Sequence, residues 1–119
     1  MADPPIAATQ IAATPTPPYW AVIFTSVRTD LEPHAYAAMS EAMEALARQQ
    51  PGFLGVESAR EAVGITVSYW KDLDSIAAWK AVMAHRAAQA TGRARWYSAY
   101  TTRIARVERD YTLESSQFE

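Results

Sequence analysis

The run Tyr19-Trp20-Ala21-Val22-Ile23-Phe24-Thr25-Ser26-Val27-Arg28 decides the fold. Aromatic and β-branched residues dominate it, and these suit a pleated, half-buried strand. Successive side chains on a strand point to opposite faces. Trp20, Val22 and Phe24 therefore share one side, and Ala21, Ile23 and Val27 share the other. Both sides are apolar. A sheet with one solvated face alternates apolar with polar residues, so each face of this one needs a cover.

Upstream, Met1–Pro18 holds five of the seven prolines and has no clean period, which sets it outside the domain. It reads as an extended, flexible arm, either free or laid over a partner through Ile6 and Ile11. The domain runs from Tyr19 to Tyr111, and residues 112–119 form a loose tail. Downstream of the first strand, a helix begins between Asp30 and Ala35, with Thr29 or Asp30 as its cap. Tyr36, Met39, Met43, Leu46 and Ala47 repeat at helical steps and make its buried stripe, leaving Glu41, Glu44 and Arg48 opposite. Pro51-Gly52 ends it.

Phe53–Arg60 and Gly64–Trp70 read as two strands joined at hairpin length. Asp72 and Asp74 are cap candidates for a second helix to about Ala90, with Ile76, Trp79, Met83, Ala87 and Ala90 as its stripe. A last strand follows from Tyr97 to about Asp110, with Tyr100, Thr102 and Ile104 alternating against Thr101, Arg103, Ala105 and Val107. The order is β-α-β-β-α-β, the α+β ferredoxin-like plan with a four-stranded antiparallel sheet. Two helices cover one face of such a sheet. A second copy of the chain is the simplest cover for the other, so the sequence predicts a homodimer.

Bulk properties remove several classes of function. The chain has 119 residues, a net charge of -2 and no cysteine. The charge argues against nucleic acid as a partner, and the missing cysteine removes disulfides, thiolate metal sites and a cysteine nucleophile. No apolar run has a membrane-spanning length, and no signal peptide is visible, so the expected setting is the cytoplasm. His34 and His85 lie on different helices without metal-ligand spacing. From Lys80 to Tyr111 seven basic residues face only Glu108 and Asp110. This segment either attracts an anionic ligand or pairs with the acidic remainder of a partner copy.

Gln50-Pro51-Gly52-Phe53-Leu54-Gly55 resembles a helix-to-strand turn of the antibiotic biosynthesis monooxygenase family of dimeric α+β barrels. Tyr69-Trp70-Lys71-Asp72, Ile76 and Trp79-Lys80 resemble the third strand and following helix of that family. His85, Gln89, Gly92-Arg93 and Trp96-Tyr97 are similar to a subgroup of its bacterial members. The resemblance implies one of two chemistries. Some members oxidise quinol-like or anthrone-like polyketide molecules with molecular oxygen and no cofactor; others bind and degrade haem. The haem degraders use an Asn on the first strand, a Trp on the second helix and a His ten residues further on. Trp79 matches that Trp, but Gln89 occupies the His position and the chain has no asparagine. The resemblance therefore favours oxygenation without a cofactor over haem degradation.

Such oxygenation needs a pocket that holds a deprotonated aromatic molecule away from water. His85 and Trp79 are the catalytic candidates. Tyr69, Arg86, Trp96, Tyr97, Tyr100 and Arg103 are the substrate-binding candidates, around a small hydrophobic or aromatic ligand. Each has a plainer reading. His85 falls far from the apolar stripe of an ideal helix. Trp79 packs a core equally well, and Arg86 suits an ion pair. A binder of haem or another planar ligand, and a dimeric sensor or stress domain without catalysis, stand beside the enzyme reading.

Overall fold

The structure, a computed structural model, describes residues 11–89 and 93–115, without the side chains of residues 85–89, 93 and 94. Four strands, β1 (Tyr19–Arg28), β2 (Phe53–Arg60), β3 (Gly64–Trp70) and β4 (Tyr97–Val107), alternate with α1 (Pro33–Arg48), α2 (Leu73–Gln89) and a single turn, α3 (Arg93–Trp96). The sheet order is β2-β3-β1-β4, all pairs antiparallel. This is the expected ferredoxin-like arrangement, with the doubly apolar β1 at its centre.

Register fixes the two faces. Trp20 lies opposite Trp70, Val22 opposite Ser68 and Ile104, and Phe24 opposite Thr66 and Thr102. Trp20, Val22 and Phe53 turn to the helices and pack on a core of Ala47, Trp70, Ile76 and Trp79. Phe53 meets Trp70 edge-on at 5.5 Å between ring centroids. The α1 and α2 stripes supply the opposing layer with Met43, Leu46 and Met83, as their helical spacing predicts, and Val82 joins them from outside the expected stripe; Ala87 and Ala90 lie outside the described side chains.

The ends of the helices show how local chemistry sets their limits. Asp72 caps α2: its Oδ1 accepts from the Ser75 N–H at 2.8 Å and the Ser75 hydroxyl at 2.7 Å. These bonds hold its carboxyl below the ordinary carboxylate range. The cap expected of Thr29 or Asp30 is absent from α1. Glu32 takes that position in a left-handed conformation with no side-chain cap, and Pro33 opens the helix. Thr29 is engaged elsewhere, its hydroxyl donating to the Arg95 carbonyl and so tying the end of β1 to α3.

The opposite sheet face carries no helix. At one end of it residues 11–18 lie against the strands. The Ala12 N–H donates to Glu57 at 2.9 Å, and Thr14 Oγ1 donates to the Tyr19 hydroxyl at 2.9 Å. Tyr19 in turn donates to Asp110 at 2.5 Å and meets Tyr69 edge-on. At the other end Val27 and Ile65 are exposed.

Candidate active site

The sheet and the two helices do not close on each other completely. Between them lies a cavity of about 240 Å³. The strands supply its floor through Val22, Phe24, Val56, Ser58, Thr66, Ser68, Tyr97 and Thr102, and α1 gives Tyr36, Met39, Ser40, Met43 and Glu44. Trp79 and Met83 of α2 and Trp96 of α3 complete the wall. Small hydroxyl residues at alternate strand positions make the space, because Ser58, Thr66 and Ser68 stand where larger core residues would fill it. Ser68 is already engaged as the acceptor for the Trp70 indole at 2.9 Å.

Aromatic rings gather at the α3 end. Phe24 contacts Tyr97 and Tyr100 at 5.4 and 5.3 Å between centroids. Tyr36 stands edge-on to both Trp96 (6.0 Å) and Tyr97 (5.7 Å). The Tyr97 hydroxyl donates to that of Tyr36 at 3.4 Å. The Arg28 guanidinium covers the outer side of this cluster, 3.6 Å from the Tyr36 ring centre, where it donates to the Trp96 and Leu31 carbonyls. Trp96 is buried, and its indole Nε1 has no acceptor among the described residues. A buried donor left without a protein partner is uncommon.

Of the residues singled out from the sequence, the fold brings Trp79, Trp96 and Tyr97 onto the cavity, with Tyr100 beside them in the ring cluster. Tyr69 and Arg103 are not among them. Tyr69 pairs with Ala21 and Arg103 with Ile23, on the helix-free face. Tyr69 there donates to Glu57 at 2.6 Å, and burial together with this acid raises its phenol pKa. His85 and Arg86 belong to the last turns of α2, and their side chains lie outside the described residues.

Tyr36 and Glu44 were readable only as parts of a helix, the first in its stripe and the second on its far side. Both line the cavity, because the cavity widens the contact face of α1 beyond its apolar stripe. Glu44 is half-exposed and pairs with Arg48 at 3.6 Å. Among the described residues no histidine or cysteine lines the cavity, and no cluster of three acidic, histidine or cysteine residues could hold a metal.

Comparison with known proteins agrees with the βαββαβ fold. The family model "antibiotic biosynthesis monooxygenase" matches residues 18–91, well over half of the chain. The chain belongs to the antibiotic biosynthesis monooxygenase family. It is 50% identical over 108 residues to the uncharacterized protein YqjZ of Bacillus subtilis (strain 168), covering 89% of this chain and 94% of that one. Its fold is similar to that of PA3566 from Pseudomonas aeruginosa (TM-score 0.62, 14% identity, 81% of this chain and 98% of the other). It is also similar to SnoaB, a cofactor-independent oxygenase from Streptomyces nogalater (TM-score 0.58, 16% identity, 82% and 98%). At these identities the structural likeness speaks for the fold alone, since one fold carries many chemistries.

Proposed function

We propose that this chain is a cofactor-independent monooxygenase acting on a small, electron-rich aromatic molecule, a hydroquinone or an anthrone-like polyketide fragment. The observation that carries the reading is the cavity between sheet and helices, walled by Phe24, Tyr36, Trp79, Trp96 and Tyr97. Flat rings select a flat ligand by stacking and edge contacts, and the few hydroxyls around them fix its orientation. Family membership and the fold of a cofactor-independent oxygenase support an oxygen chemistry without a resident cofactor.

For an anthrone-like substrate the balance is simple. The ring methylene loses two hydrogens, one oxygen atom of O2 becomes its carbonyl, and the other leaves with those hydrogens as water. The protein has to help the substrate ionise, hold the anion and exclude water. Trp79 forms the wall against which the ring lies. Glu44 is the carboxylate on the cavity and His85 the candidate base from α2. The functional unit of this reading is a homodimer, in which the helix-free faces of two copies cover each other.

Oxygen uptake with a panel of hydroquinones and anthrones tests the proposal. The expected result is turnover above the buffer control for at least one compound, slowed by Trp79→Phe. Rates equal to the control across the panel would overturn it.

A further inference from the structure

Among the described residues, hydrogen-bond donors gather at the α3 end of the cavity. The Trp96 indole N–H is buried without an acceptor among the described residues, and the hydroxyls of Tyr36 and Tyr97 meet beside it. Two guanidinium groups flank Tyr36, Arg28 at 3.6 Å and Arg60 at 6.0 Å from its ring centre. Among the described residues neither has a carboxylate within 4.0 Å. Their bonds go instead to neutral oxygens: Arg28 to the Leu31 and Trp96 carbonyls, Arg60 to the carbonyl and hydroxyl of buried Ser26.

The arrangement of Arg60 is built into the sheet. Ser26 and Arg60 both pair with Gly64, one from each side. The guanidinium crosses the strand between them, through the space that a side chain at Gly64 would fill. Two positive charges left without carboxylates, next to a buried donor that lacks an acceptor, make a receptor for negative charge. Glu44, the acid of the cavity, is eight residues further along α1 than Tyr36, about 12 Å away along the helix axis. The two arginines lie behind Tyr36, outside the lining of the cavity, so positive charge flanks its α3 end while Glu44 stands on its wall further along α1.

We propose that the Tyr36–Trp96–Tyr97 end is an oxyanion subsite, which takes the ionised oxygen of an aromatic ligand, a phenolate or enolate, with Arg28 and Arg60 supplying the field. This deepens the proposed function and rests on its reading of the cavity as the ligand site. Trp96 and the tyrosines touch the oxygen; the two arginines act through Tyr36 and are positioning residues. The ligand is bound in its reactive, deprotonated form.

Calorimetric titration of the full chain with two probes tests this: 2-hydroxy-1,4-naphthoquinone, ionised near neutral pH, and its neutral 2-methoxy ether. The ionised probe should bind on the order of ten-fold tighter, with the ratio falling as salt is raised. Trp96→Phe and Arg60→Gln should each shrink the ratio several-fold, and Arg60→Lys should restore most of it. Arg60 is the arginine to replace, since it is exposed and, among the described residues, its side chain bonds Ser26 alone, whereas Arg28 joins β1 to two other segments through the Leu31 and Trp96 carbonyls. Equal affinities, or a ratio that Arg60→Gln leaves unchanged, would overturn the subsite. Binding of neither probe would overturn the cavity as a ligand site and the subsite with it. A preserved ratio with no oxygen uptake would overturn the oxygenase reading alone.

Discussion

Trp70 stacks on Trp79, with ring centroids 5.9 Å apart and planes inclined by 24°. The first ring has no solvent exposure at all, while the second also faces the cavity. The core and the candidate site therefore share one aromatic pair, and the cavity wall is only as rigid as the packing behind it. Trp70→Ala should cost about 3–5 kcal/mol, since it removes the largest buried side chain from between β3 and α2. Urea unfolding followed by circular dichroism measures this; a loss below about 1 kcal/mol would mean that the pair is not central to the core.

The turn that enters β2 depends on a residue without a side chain. Gly52 has φ 84, and a Cβ there would run into Ser75 at the start of α2. Its carbonyl also accepts from the Lys71 N–H at 2.8 Å, which locks the turn to the β3–α2 junction. Gly52→Ala combines left-handed strain with a clash, so a loss of about 1–3 kcal/mol is expected. A melting temperature equal to the parent's would contradict it.

Much of this was legible in the sequence. The doubly apolar β1, the two helical stripes and the hairpin specify the sheet and its partners because their periods leave few alternatives. Trp79 could be placed on a buried face for the same reason. The arginine pair around Tyr36 could not be read that way. Arg28, Arg60 and Tyr36 sit on three different elements, and only the shared register at Gly64 carries Arg60 across to Ser26. Tyr69 and Arg103 show the converse. Residue type suggested a pocket, but strand parity puts both on the other face, and parity depends on which face of the sheet the helices take.

Stability should decline at alkaline pH through Tyr69. Burial, then the Glu57 carboxylate, raises its phenol pKa in the folded chain above the ordinary 10.0. A group raised on folding stabilises fully below its unfolded pKa, and that contribution fades as pH rises from about 10 toward the folded value. Tyr69→Phe should flatten this decline in a pH series of thermal melts. An unchanged alkaline slope would show that the phenol–Glu57 bond carries none of it.

Asp72 predicts the opposite limb. Its hydrogen bonds from Ser75 depress the carboxyl pKa below 3.8, so its contribution is present above that value and is lost as pH falls through the folded pKa. Asp72→Ala should lower the melting temperature by a few degrees at neutral pH. The two proteins should converge in strong acid, where the parent's carboxyl is protonated too. A constant difference over the whole range would assign the effect to something other than the charged cap.

The exposed apolar end of the helix-free face gives a test of assembly. Light scattering at micromolar concentration should return twice the chain mass of 13.2 kDa. Ile65→Asp places a charge in the patch it shares with Val27 and should shift the mass toward one chain, while leaving the circular dichroism spectrum unchanged. A single-chain mass for the parent would remove the homodimer.

Residues 11–18 have a geometric consequence for any such assembly. They take up the Tyr19–Tyr69–Gly55 end of the sheet, where Ala12 is held by Glu57 and lies so close over Gly55 that a Cβ there would come within 2.7 Å of it. The open ground on this face is the corner around Val27 and Ile65. Two copies meeting at that corner would be offset rather than concentric, with their Ala12 segments kept apart. Residues 11–18 would then work as a shim, setting how far one sheet can slide across the other.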